Sequence, residues 1–226
     1  MSLPTGNHVA PSVLAADHGR LREHAREIVA AGAKVIHVDI MDGHFVPPLT
    51  FGPGIVAGLR ELDVILDVHL MIDRPERQVV DFAKAGADVI TIHAEATPHL
   101  DYALAEIRDA GSAAGLAVCP GTPLDIFTEL HGRYDMALCM TVNPGWGGQK
   151  FIPYSLDKLE RLAPLLADGV ALEVDGGIDA ETAGPCAALG ATLFVAGNAI
   201  FGADDPAEAY AAIAAAIGAG APAPRR

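Results

Sequence analysis

Three phrases of one kind recur along the chain: Ala31-Gly32-Ala33-Lys34-Val35-Ile36, Ala85-Gly86-Ala87-Asp88-Val89-Ile90 and Leu189-Gly190-Ala191-Thr192-Leu193-Phe194. Each reads as a helix that ends on a glycine cap and runs straight into an apolar strand. Gly32, Gly86 and Gly190 stand close to two and four periods of about 26 residues apart. A strand–helix unit of that length fits into 226 residues about eight times, the number that closes a parallel barrel.

Strand-like runs fall near Val9–Leu14, Val35–Ile40, Val64–His69, Val89–Ile92, Leu116–Cys119, Met136–Val142, Ala171–Val174 and Leu193–Ala196. Helical patterns lie between them over Leu21–Ala30, Gln78–Ala85, Leu100–Ala110, Ser155–Leu166 and Ala207–Ile217. The strands are continuously apolar rather than alternating, as expected when both faces are buried. No Pro/Ser linker or charge block divides the chain. The reading is a single α/β domain, a (β/α)8 TIM barrel over residues 1–217, with 218–226 as a loose tail. An open doubly wound sheet would need a Gly-rich fingerprint after its first strand, and Leu14-Ala15-Ala16-Asp17 is not one.

Charge narrows the partners. Fifteen Lys and Arg oppose 29 Asp and Glu, a net charge of −14, which argues against nucleic acid. A phosphorylated small molecule would have to be held locally, by backbone N–H groups, helix N-termini or a metal. No stretch is apolar and long enough to span a membrane, since Ala209–Ala221 is mostly alanine and short. Met1–Asn7 lacks the basic and apolar regions of a secretory signal. Cys119, Cys139 and Cys186 form no CxxC pair and no even framework, which fits a reducing cytoplasm.

Polar residues stand where a barrel places its chemistry, at the C-terminal ends of the strands. His37 and Asp39 are two apart and share one side of the second strand; Asp67 and His69 repeat the pattern on the third. His93 ends the fourth, and Glu173 with Asp175 ends the seventh. Unpaired buried carboxylates cost several kcal/mol each. A divalent cation bound by His37, Asp39, His69 and Asp175 removes that cost; a hydrogen-bonded polar core is the other reading. Mixed imidazole and carboxylate donors suit Zn, Fe(II), Mn or Co. Asp67 and Glu173 either orient those ligands or serve as plain structural hydrogen-bonders. Met41, Met71 and Met140 follow the same strand ends, as a collar that excludes water or as packing.

Glycine clusters follow the last three strands: Asn143-Pro144-Gly145-Trp146-Gly147-Gly148-Gln149, Asp175-Gly176-Gly177 and Ala196-Gly197-Asn198. Glycines let backbone N–H groups approach an anion closely, and barrels commonly hold phosphate in these loops. Lys150 is the only cation in the sixth-strand phrase. A phosphate anchor, a metal and two carboxylates define a reaction class. A polarised ketone acidifies its neighbouring C–H, and a proton taken from one face can be returned to the other.

At this point the sequence resembles the ribulose-phosphate 3-epimerase family. The resemblance rests on Pro11-Ser12-Val13-Leu14-Ala15-Ala16-Asp17, on His37-Val38-Asp39-Ile40-Met41-Asp42-Gly43-His44-Phe45-Val46-Pro47 and on Val68-His69-Leu70-Met71. It continues in Val142 through Phe151 and in Glu173-Val174-Asp175-Gly176-Gly177-Ile178. It implies interconversion of D-ribulose 5-phosphate and D-xylulose 5-phosphate in the pentose phosphate pathway, by a cytoplasmic homo-oligomer with one divalent metal ion per chain. It carries metal ligation over to His37, Asp39, His69 and Asp175, and makes Asp39 and Asp175 the two acid/base residues. It places Ser12, His69, Gly145, Trp146, Gly147, Gly148, Gly176, Gly177, Gly197 and Asn198 around the substrate, under a cap of Met41, Met71 and Met140. The chain departs from the family's usual phrases at Pro48, Cys119, Gly121, Trp146 and Asn198, several of them on loops around the mouth. A paralogue acting on allulose 6-phosphate or another ketose phosphate is the alternative. A decarboxylase-type barrel lyase would need an Asp-x-Lys-x-x-Asp phrase, which is absent.

Overall fold

The structure, a computed structural model, describes residues 3–219. The expected tail therefore lies outside the described residues beyond Ala219. Eight strands, β1 (His8–Pro11), β2 (Val35–Met41), β3 (Ile65–Met71), β4 (Val89–His93), β5 (Ala113–Val118), β6 (Met136–Met140), β7 (Ala171–Asp175) and β8 (Leu193–Ala196), form one parallel sheet. Its order is β1-β8-β7-β6-β5-β4-β3-β2, and a parallel bridge from Ser12 to His37 joins the two edges. The result is the expected (β/α)8 barrel. Around it lie α1 (Leu21–Ala30), α2 (Pro53–Leu59), α3 (Val79–Lys84), α4 (Leu100–Asp109), α5 (Asp125–Glu129), α6 (Ser155–Leu162), α7 (Ala183–Ala188), α8 (Asn198–Phe201) and α9 (Pro206–Ala216).

The repeated glycine is a helix cap each time. The Gly32 N–H donates to the Val29 carbonyl and the Ala33 N–H to that of Ile28. The same pair of bonds recurs at Gly86/Ala87 and Gly190/Ala191, and once more at Gly111/Ser112. All four glycines have φ between +94° and +114°. Two orphan helix carbonyls are satisfied at each end, and the backbone leaves in the direction of the next strand.

Alternation sorts the side chains. Along β2, Ile36, Val38 and Ile40 join the large core between barrel and helices, whereas Val35 belongs to the smaller cluster inside the barrel, with Ala10, Val89, Met136, Leu193 and Val195. His37 and Asp39 follow Val35 on the inward side. Several boundaries differ from expectation by a few residues, and two have a clear local reason. β5 begins at Ala113 rather than Leu116, because its small residues carry no apolar signal; a Cβ on Gly115 would stand 2.1 Å from Thr91 Oγ1 of β4. β1 ends at Pro11, where Ser12 accepts from the Leu14 N–H and caps a 3-10 turn over Val13–Ala15.

Candidate active site and metal centre

His37, Asp39, His69 and Asp175 converge as expected: each offers one donor atom, and these lie within 4.8 Å of one another. His37 Nε2 is 3.3 Å from Asp39 Oδ1, His69 Nδ1 is 3.1 Å from the same oxygen, and His69 Nδ1 is 3.6 Å from Asp175 Oδ2. The other carboxylate oxygen of Asp39 accepts from the Ser12 hydroxyl at 2.5 Å. Each imidazole is pinned through its remaining nitrogen, His37 Nδ1 on Asp67 Oδ2 at 2.6 Å and His69 Nε2 on His93 Nε2 at 2.8 Å. Glu173 lies beneath, 3.7 Å from His37 Nδ1.

The electrostatics of this floor ask for a cation. Burial opposes charge on Asp39, but the neighbouring His37, by its charge and its hydrogen bond, outweighs it and holds the carboxyl well below its usual range. Burial likewise works against a charged His37, yet Asp39 and Asp67 outweigh it and raise the imidazole well above 6.5. Asp175 goes the other way: burial, then the charge of Asp39, pushes it up to about 7. Burial and Asp67 raise Glu173 well above the usual carboxyl value. Two imidazole nitrogens and two carboxylate oxygens thus face one point. This donor set fits Zn, Fe(II), Mn or Co.

Above the floor opens a cavity of about 890 Å³. Ser12, Asp39 and Asp175 line its base; Met41, Met71 and Met140 its apolar wall; Gly145, Trp146, Gly147, Gly148, Gly176, Gly177, Gly197 and Asn198 its rim, together with Lys150. His69, expected beside the substrate, is fully buried and does not line the cavity, because Asp39 stands between. Met41 and Met71 pack with Val46 on one side and Met140 with Val142 on the other, so the methionines flank the opening. Gly177 has a packing reason of its own: with φ +65°, a Cβ there would lie 2.3 Å from the Phe151 nitrogen. Gly147 has open space, its nearest neighbour being Asn198 Oδ1 at 3.9 Å.

Sequence reasoning missed Glu95 and Lys158. Glu95 Oε2 is 3.2 Å from His93 Nδ1, and Oε1 accepts from the Cys119 N–H at 2.8 Å and from the Thr122 hydroxyl. Burial opposes ionisation of Glu95, but the bonds from His93, Thr122 and Cys119 bring it down to about 2. Burial and the neighbouring His69 push His93 down to about 4, against the pull of Glu95. Lys158, 3% exposed, donates to the carbonyls of Cys119 (2.6 Å), Pro120 (3.1 Å) and Thr122 (2.7 Å). The signal for Glu95 was present, since His93-Ala94-Glu95 repeats the two-residue spacing of the other strand ends.

Comparison with known proteins places this geometry. The chain matches the ribulose-phosphate 3 epimerase family model over residues 8–201. It is 44% identical to ribulose-phosphate 3-epimerase of Bacillus subtilis (strain 168) over 210 residues, 91% of this chain and 97% of that protein. The enzyme of the same name from Escherichia coli (strain K12) is 46% identical over 198 residues, 85% of this chain and 88% of that one. Among solved structures, KGPDC from Streptococcus mutans superposes with a TM-score of 0.71 at 21% identity, covering 94% of this chain and 98% of its own, a likeness of fold. Among the described residues no helix is long and apolar enough to cross a membrane.

Proposed function

The chain belongs to the ribulose-phosphate 3-epimerase family, and on that footing we propose that it inverts C3 of D-ribulose 5-phosphate to give D-xylulose 5-phosphate, with one divalent cation held by His37, Asp39, His69 and Asp175. The observation that carries the reading is a pair of carboxyl groups at the base of one cavity, converging with two imidazoles on one point. When bound, the cation supplies electrophilic polarisation of the ketone oxygen. Asp39, ionised and held by Ser12, removes the C3 proton. The electron pair passes into the enediolate, and Asp175, in its carboxylic acid form, returns a proton to the opposite face. The two groups exchange protonation states in each turnover, and the reverse turnover or solvent resets them. Backbone N–H groups of the loops carrying Gly147, Gly148, Gly197 and Asn198 hold the phosphate, while Met41, Met71 and Met140 keep water from the reacting carbon. The working form is a cytoplasmic homo-oligomer.

Solvent-deuterium exchange tests the two-base scheme on a panel that includes ribulose 5-phosphate and allulose 6-phosphate, with metal content measured on each sample. Asp175→Asn should abolish epimerisation and leave C3 exchange through Asp39 with retained configuration. A fully metallated Asp175→Asn protein with near-normal turnover would refute the scheme, and a clear preference for another ketose phosphate would refute the substrate.

A further inference from the structure

We propose that His93 and Glu95 are positioning residues that fix the tautomer and aim of His69, through a relay from the β5 loop to the cation site. The inference rests on the cation reading above and deepens it.

Two ring nitrogens 2.8 Å apart must share one proton, since two lone pairs or two N–H groups at that distance repel. Glu95 decides which ring gives it. Its Oε1 already accepts from the Cys119 N–H and the Thr122 hydroxyl, so the carboxylate is oriented as an acceptor and His93 Nδ1, 3.2 Å from Oε2, donates to it. A neutral His93 then has a bare Nε2, which accepts the Nε2–H of His69. The only lone pair left on His69 is at Nδ1. That atom faces Asp39 Oδ1 at 3.1 Å and Asp175 Oδ2 at 3.6 Å, the place where a cation would sit. His37 is set independently by Asp67, so each imidazole has its own carboxylate. For His69 that carboxylate is one ring removed.

Glu95 is itself held. Its second oxygen takes the Cys119 N–H and the Thr122 hydroxyl, and Lys158 fixes that turn through three carbonyls. His93, Glu95 and Cys119 also bring three donor atoms within 4.8 Å of one another, but a second cation there is incompatible with the relay. It would take the Nδ1 lone pair of His93 and move the proton to Nε2, against the N–H of His69. Burial also pushes the Cys119 thiol up to about 12, so it stays protonated.

Co(II) serves as the probe, read by its visible absorption and by its affinity in competition with a chelator, alongside activity. His93→Leu leaves the His69 N–H without an acceptor. Glu95→Gln either sets an N–H against His93 Nδ1 or gives up the Cys119 bond. Both should weaken Co(II) about 10–100-fold and alter its absorption bands. His93→Gln, whose carbonyl can accept from His69 while its amide donates to Glu95, should restore most of the affinity. Equal affinity and bands in Glu95→Gln and wild type would overturn the relay, as would a His93→Gln protein as weak as His93→Leu. Glu95→Gln, isosteric and at a partly exposed site, decides the matter should His93→Leu fail to fold. A wild-type chain that binds no Co(II) would overturn the cation reading and the relay with it.

Discussion

Gly177→Ala isolates what holds the loops after β6 and β7 together. The φ of +65° places a side chain in the left-handed region, which costs about 1–2 kcal/mol for an L-residue other than glycine. The added Cβ would stand 2.3 Å from the Phe151 nitrogen, 2.7 Å from its Cα and 3.0 Å from the Lys150 carbonyl carbon. These are backbone atoms, so the contact is relieved only by moving the loop after β6, and overpacking of this kind costs about 1–3 kcal/mol. The sum is about 2–5 kcal/mol. At this chain length each kcal/mol moves Tm by about 2–4 °C, so the midpoint should fall by about 4–20 °C. Gly147→Ala is the control, since its Cβ meets only ordinary contact distance, and its stability should stay within about 0.5 kcal/mol of wild type. Thermal melts of the three proteins at one cation concentration decide it. A Gly177→Ala midpoint level with the control would show that the two loops do not brace each other.

Two further outcomes follow from the same site. Cation affinity should fall as pH is lowered, because binding must displace the proton on His37, whose affinity for it is raised. Each displaced proton contributes about tenfold per pH unit, and calorimetric titrations in buffers of different ionisation enthalpy count the protons released; a flat profile from pH 5.5 to 7.5 would contradict the assignment. For the phosphate, Gly147→Val should raise KM and lower kcat/KM more than Lys150→Ala at identical salt, because both line the cavity but −14 net charge leaves capture to short-range donors; the opposite order would assign the phosphate to the lysine.

Much of this was legible because the barrel repeats its grammar. Gly32, Gly86 and Gly190 announce a helix end and a strand start together, and residues two apart at strand ends announce what the interior receives. The legibility stops where a residue's meaning depends on partners far along the chain. Glu95 lies past the end of β4, and its acceptor role is defined by Cys119 and Thr122, more than twenty residues on. Lys158 sits in α6 among Asp157, Glu160 and Arg161 and reads as solvated, yet the helix turns it under the β5 loop. Gly177 reads as room for an anion, whereas the backbone of Phe151 already occupies the space that a Cβ would need. β5 begins unannounced because Ala113, Ala114 and Gly115 have no side chains large enough to show a period.

The asymmetry that an epimerase needs arises from how donors are distributed around like groups. Asp39 and Asp175 are the same acid, and a symmetric setting would give them one shared affinity. Asp39 is met by His37 at 3.3 Å, His69 at 3.1 Å and the Ser12 hydroxyl at 2.5 Å, whereas Asp175 meets His69 only at 3.6 Å and feels the charge of Asp39 instead. Ser12 is also the residue whose bridge to His37 closes the barrel between β1 and β2. Closure of the sheet therefore brings the Ser12 hydroxyl to one carboxylate and not the other, while the proton affinities diverge because the hydrogen bond of His37 falls on Asp39 and burial with the charge of Asp39 falls on Asp175.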